Sequence, residues 1–162
     1  MQIRNAAPAD FAQILALNEA SVQFLSPLSL ERLTALHSQA AYHRVVATSD
    51  GVQAFLLALR EGAIYDSVNY QWFASRLPQF LYIDRVVVAT TAQGSGCGKR
   101  LYDDLIAYAQ QMGISPITCE FDIEPINTAS LRLHQAFGFA EVGSQYLAAA
   151  GKRVSMQALS NR

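Results

Sequence analysis

One stretch constrains the fold more than any other. The apolar run Val86-Val87-Val88 leads through ATTAQGSGCGKRL, residues 89–101, into an amphipathic segment, with glycine at the alternate positions 94, 96 and 98. A run of β-branched residues specifies a strand. Leu101, Leu105, Ala109 and Met112 make a helical stripe, Asp103 and Asp104 face outward, and Gly113 is a natural stop. A strand that turns on glycines straight into a helix calls for a sheet with helices packed against it.

The rest of the chain alternates in the same way. QIRNA reads as a first strand. Pro8 suits the first turn of a helix in which Phe11, Ile14, Leu15, Asn18 and Val22 recur at helical spacing, and Pro27 ends that run. Ser29 caps a second helix through Leu30, Leu33 and Leu36, ending near Tyr42. HRVVATSDGVQAFLLALR, 43–60, is a hairpin turning at Ser49-Asp50-Gly51. Residues 61–79 read as a long connection, and FLYIDRVVVAT, 80–90, as the strand entering the glycine turn. SPITCEFDI is a further strand, Asn127 opens a short helix carrying Leu131 and Leu133, and EVGSQYLAAAGKRVSMQAL is a closing hairpin around Gly151. The predicted order is β-α-α-β-β-β-α-β-α-β-β, a mixed α/β fold that is neither purely parallel nor a pure meander.

With 162 residues, 51% hydrophobic and 15% charged, the chain suits one domain over 1–162. A formal net charge of −1 leaves no basic stripe for nucleic acid and no polybasic run for an anionic membrane. No apolar stretch approaches a bilayer span, and MQIRNAAPAD lacks the layout of a signal peptide. Cys97 and Cys119 form no pairing pattern, which suits a reducing cytoplasm. His37 and His43 have no metal-ligand company, so no metal is expected.

Two nucleotide motifs fail on the glycine turn. A P-loop ending at Gly98-Lys99 needs glycine where Gln93 stands and Ser or Thr where Arg100 stands. A G-x-G-x-x-G begun at Gly94 or Gly96 meets Lys99 or Leu101 at its third glycine. What such loops share is physical: amides turn inward at a helix start, where the dipole favours an anion, and glycine lets phosphate oxygens approach. Lys99 adds a counter-charge. The same glycines could merely shape a tight β–α connection.

Gln93-x-x-Gly96-x-Gly98, between apolar strand and amphipathic helix, resembles the acetyl-CoA signature Q/R-x-x-G-x-G/A of the GCN5-related N-acetyltransferases (GNAT). NTASLRLHQAFGF resembles that family's N-x-x-A/S-x-x-x-Y-x-x-x-G-F segment through Asn127, Ser130 and Gly138-Phe139. The element order is similar from end to end. The resemblance implies a GNAT fold, a mixed, mostly antiparallel twisted sheet of about seven strands flanked by four helices. It also implies acetyl-CoA as cofactor. Its pyrophosphate would lie on the amides of Gln93, Gly94, Ser95, Gly96, Cys97, Gly98 and Lys99, and its pantetheine beside Val86, Val87 and Val88, where two strands splay. Asn127 would bond the pantetheine, with Ser130 in the same motif. Three positions depart from the family pattern: Gln93 for the commoner arginine, Thr90 for a frequent proline, and His134 for the tyrosine that protonates the departing thiolate.

The reaction implied is acetyl transfer to an amine by direct attack in a ternary complex. The acceptor would be a small molecule, an amino-acid-like compound or a peptide N-terminus. An alkylamine is mostly protonated at neutral pH, so a base is needed. Asp84 is the first candidate, unless it serves only Arg85 or a turn amide. Glu120 is its rival; Glu120, Asp122 and Glu124 alternate in CEFDIE, either as a solvated edge or as an acidic funnel for a cationic acceptor. His134 could donate to the leaving thiolate as imidazolium, or could be a packing residue. Backbone amides near Val88 could polarise the carbonyl. Tyr65, Asp66, Tyr70 and Trp72 concentrate in YDSVNYQWF as a substrate wall, a lid or a dimer patch, and Tyr82 is grouped with them. Asn18 reaches the same pocket or is a bonded core asparagine. A covalent acetyl-Cys97 lacks a nearby base in sequence. The C-terminal hairpin could join a homodimer. The alternative from another class is a non-catalytic acyl-CoA-binding or sensing module of the same fold.

Overall fold

The computed structural model describes residues 1–22 and 25–160. Twelve elements follow one another: β1 (Gln2–Asn5), α1 (Phe11–Glu19), α2 (Leu30–Gln39), β2 (Tyr42–Thr48), β3 (Gly51–Arg60), α3 (Val68–Ala74), β4 (Leu81–Val88), α4 (Cys97–Met112), β5 (Ile117–Glu124), α5 (Thr128–Phe137), β6 (Ala140–Leu147) and β7 (Lys152–Leu159). The seven strands form one sheet in the order β1-β2-β3-β4-β5-β7-β6. All neighbours are antiparallel except β4 and β5, the pair joined by the α4 crossover. The mixed sheet expected from the sequence is present.

Apolar cores lie on both faces. Phe11, Ile14, Leu33 and Leu36 from α1 and α2 cover one face with Tyr70 and Phe73 of α3. Leu101, Tyr102, Leu105 and Ala109 of α4 cover the other. This sandwiching explains β3, where Ala54 through Leu59 are all 0% exposed: a strand buried on both sides needs a continuous apolar run rather than alternation.

Helices differ from the sequence reading in number and in extent. Among the described residues there are five, because residues 68–74 of the expected connection form α3. Ser67 caps it by accepting from the Tyr70 amide at 3.3 Å, and Tyr70 and Phe73 point inward at helical spacing. α1 ends at Glu19, so Val22 lies beyond it and is 40% exposed. Leu30 opens α2 at its exposed end, and Met112 closes α4 at 55% exposure; each sits in a terminal turn that overhangs the core. Asp104 does not face outward: it accepts from the Tyr42 hydroxyl and an Arg44 guanidinium NH on β2, both at 2.7 Å. Among the described residues no helix is long and apolar enough to cross a membrane.

Candidate active site

β4 and β5 pair at only two positions, Leu81 with Ile117 and Tyr82 with Thr118, and then part. On its other side β4 stays paired with β3 as far as Val88 and Ala54. The Ala89 amide donates to Gln53 on β3 at 2.8 Å. Strand alternation then turns the N–H and C=O of Val86 and Val88 away from β3 and into the opening. The parted strands thus present a half-ladder to an extended, amide-bearing ligand.

At the head of that opening is the glycine turn. Gly94 and Gly96 have φ of +81° and +87°, and no atom lies within 4 Å of where a Cβ would stand. Gly96 is the N-cap of α4 and offers no side chain to the helix start. The first i→i−4 bond runs from the Arg100 amide to the Gly96 carbonyl at 3.0 Å, so the amides of Cys97, Gly98 and Lys99 precede the ladder. A positive helix end with uncapped amides and a floor free of side chains fits a diphosphate. The loop's own side chains mostly turn elsewhere. The Ser95 hydroxyl donates to the Ala92 carbonyl, Cys97 is buried with its Sγ 3.2 Å from Ser95 Oγ, and exposed Lys99 pairs with Asp103 at 2.7 Å. Gly98 needs no positive φ; a Cβ there would meet Val88 at an ordinary 3.6 Å. Asn127 caps α5, accepting from the Ser130 amide at 3.1 Å.

On the α1–α3 face of the opening a polar cluster replaces the core. The β3–β4 register jumps from Leu57–Arg85 to Ala58–Ile83, leaving Asp84 as a bulge. Neighbours in a regular strand point to opposite faces; the bulge brings Asp84 and Arg85 together, 2.6 Å apart as an ion pair. Asp84 also accepts from the Tyr65 hydroxyl at 2.5 Å. Arg85, 3% exposed, donates to Asn18 Oδ1 at 3.0 Å and to Ser26 Oγ and O at 3.3 Å. Asn18 donates in turn to the Ser26 carbonyl. The Arg85 partnership and the bonded asparagine, each left open by the sequence, are both formed.

Glu120 lies across from this cluster, half-buried on β5. It accepts from the Tyr82 hydroxyl at 2.8 and 3.0 Å and from the Asn69 amide of α3 at 3.1 Å. Burial, with Asp84 nearby, pushes its carboxyl up to about 8, against the downward pull of Tyr82, Asn69 and Lys152. Cys119, Phe121 and Asp122 are all buried, so CEFDIE is not a solvated edge. Nor is it an open acidic funnel, because Asp122 pairs with Lys152 at 3.1 Å and Glu124 with Arg153 at 3.6 Å.

The other expected site residues are dispersed. Tyr70 is 1% exposed, with its hydroxyl donating to the Arg60 carbonyl and accepting from the Ala63 amide, so it is core rather than wall. Tyr82 is equally buried and reaches the cluster only through its hydroxyl. Asp66 stands on the surface, paired with Arg32 at 2.7 Å. Trp72 lies under the Arg76 guanidinium, 3.9 Å from the ring centre. His134 is 3% exposed on α5, stacked on Phe121. Its Nδ1 is 2.6 Å from the Ser130 carbonyl, which only accepts, so Nδ1 carries the proton and Nε2 accepts from the Tyr102 hydroxyl at 2.7 Å. Burial lowers its affinity for a second proton. Both nitrogens are committed to packing. The sequence did not single out Gln145, whose amide donates to Asn69 Oδ1 at 2.7 Å.

The profile of the acetyltransferase (GNAT) family matches residues 14–139. The chain belongs to that family, whose acyl donor is acetyl-CoA. Among solved structures it is similar to Ard1 from Thermoplasma volcanium, at 13% identity and TM-score 0.80, covering 99% of this chain and 97% of that one. Naa20 of Chaetomium thermophilum, solved with a bisubstrate analogue, gives 15%, 0.78, 99% and 86% on the same measures. The protein yncA of Salmonella typhimurium, solved with its cofactor acetyl-CoA, gives 20%, 0.71, 99% and 93%. No curated protein matches the chain.

Proposed function

We propose that the protein is an acetyl-CoA-dependent N-acetyltransferase, a single cytoplasmic domain with Glu120 as its general base. The observation that carries this reading is Glu120 itself: a carboxyl beside the parted strands, bonded by Tyr82 and Asn69 and pushed up to about 8 by burial against the pull of those donors. A base is most useful when its pKa lies near the working pH. Asp84, the first candidate from sequence, is held by Arg85 and Tyr65 and is the weaker choice.

The residues that would hold the cofactor are the amides of 93–99 and the backbone of Val86 and Val88, with Asn127 at the far side of the opening. When bound, acetyl-CoA supplies an acetyl group activated as a thioester. The ionised Glu120 takes a proton from the acceptor ammonium, directly or through water, and Tyr82 and Asn69 steady the carboxylate by donation. The acceptor is an amine of a small molecule, an amino-acid-like compound or a peptide N-terminus. A structural neighbour, Naa50 of Arabidopsis thaliana, is solved with the bisubstrate analogue CoA-Ac-MVNAL, which supports the peptide class.

Glu120→Gln tests the assignment. We expect kcat to fall about 10²–10⁴-fold. In the parent protein kcat/KM should climb as pH rises through about 8, where Glu120 ionises, and the variant should lose that limb. Unchanged turnover on every acceptor that the parent accepts removes Glu120 from the chemistry. One observation favours a second reading, a non-catalytic acyl-CoA sensor: His134 occupies the tyrosine's place with both nitrogens engaged. Coenzyme A binding without thiol release on a panel of amines and N-terminal peptides would establish the sensor.

A further inference from the structure

We propose that Asn69, its amide locked by Gln145, is a positioning residue that holds the Glu120 carboxylate ready to take a proton. The proposal rests on Glu120 as base. Three elements meet here: Gln145 Nε2 on β6 donates to Asn69 Oδ1 at 2.7 Å, and Asn69 Nδ2 on α3 donates to Glu120 Oε1 on β5 at 3.1 Å. The chain has a direction. A primary amide presents a donor on one side and an acceptor on the other, and with Gln145 donating to its oxygen Asn69 turns its N–H side to Glu120. Turned around, Asn69 would aim a carbonyl oxygen at the carboxyl, which would then have to be protonated to bond it.

Other groups facing Glu120 set the background against which Asn69 acts. From β4 come the Tyr82 hydroxyl and the Asp84 carboxylate, and from β7 the Lys152 ammonium. The thiol of Cys119 beside it and the phenol of Tyr102 on α4 are both pushed up, chiefly by burial and in part by Glu120, and stay neutral. Asp84 opposes ionisation and Lys152 favours it. Asn69 is the favouring group whose orientation is set by a residue outside the pocket. Its backbone is also placed by the Ser67 cap, which fixes the first turn of α3.

Asn69→Leu is the discriminating variant, because it removes the donor to Glu120 without adding a charge and leaves the other neighbours of Glu120 in place. The Glu120 carboxyl is titrated by carbon NMR in the ligand-free protein, alongside kcat/KM against pH and the thermal midpoint. We expect the Glu120 midpoint to rise by about one pH unit, the size of a lost hydrogen bond to a charged group. The rising limb of kcat/KM should move with it, and coenzyme A affinity should stay level. If the midpoint stays put while stability drops, Gln145 and Asn69 are only a structural tie and the proposal is overturned. Should that variant not fold, Asn69→Ser is titrated in the same way, with the same two outcomes. The NMR titration needs no turnover, so failure of Glu120 as base, read from Glu120→Gln kinetics, remains separable from failure of Asn69 as its holder.

Discussion

Glu120 meets two strong donors, the Tyr82 hydroxyl and the Asn69 amide, and still sits where burial favours its protonated form. The folded state therefore keeps a proton that the unfolded chain releases near 4.5, until about pH 8. Between those values the native state binds more protons, so stability falls as pH rises, and the contribution is fully present only below the lower value. We expect Glu120→Gln, which never ionises, to gain on the parent protein steadily across this window in thermal melts. A midpoint difference that is constant from about pH 5 to about pH 9 would contradict the raised carboxyl. His134 shows the opposite economy of reading. Its place in the NTASLRLHQAFGF segment was legible, and so was its reach to Ser130 one helical turn back. Its second partner, Tyr102, is 32 residues away on another helix, and no local pattern announces that bond.

Elements were legible where their period was long and one-sided. α4 falls into this class, and β3 was legible for a different reason, an unbroken apolar run buried on both faces. α3 was not, because seven residues with only Tyr70 and Phe73 turned inward give barely two turns of signal; the Ser67 cap was the available clue. The bulge at Asp84 was invisible, since it depends on how β3 and β4 slide past each other. That hidden register is why the sequence left Asp84 open between a base and a partner of Arg85, and only the bulge decides for the ion pair. Two glycines test element-scale packing. A Cβ at Gly143 on β6 would stand 2.5 Å from Trp72 Cζ2 of α3. Gly143→Ala should therefore cost about 1–3 kcal/mol in denaturant unfolding, and the Trp72 fluorescence should change as its ring shifts. Gly96→Ala forces a side chain into φ +87° without a clash. We expect a loss of about 1–2 kcal/mol from that strain together with weaker coenzyme A binding by calorimetry. Undiminished binding would mean that the turn only shapes the chain.

Across the whole molecule, stability is unevenly shared. β1 to β4 form one run of paired strands and β5, β7 and β6 another, yet the ladder between the two runs has only two rungs, supplemented by α4 and by side-chain bonds such as Tyr82 to Glu120 and Gln145 to Asn69. Coenzyme A seated along Val86 and Val88 would supply contacts that the sheet itself omits. We expect its saturation to raise the thermal midpoint, by the equivalent of about 2.7 kcal/mol at a hundredfold excess over Kd. Slower amide exchange should be concentrated at those two valines; slowing spread evenly, with none there, would place the ligand elsewhere. The parting of β4 from β5 thus makes the protein resemble a book bound by a short length of its spine. Whatever slips between the covers becomes part of the binding, and the same gap that weakens the empty fold is what lets a guest strengthen it.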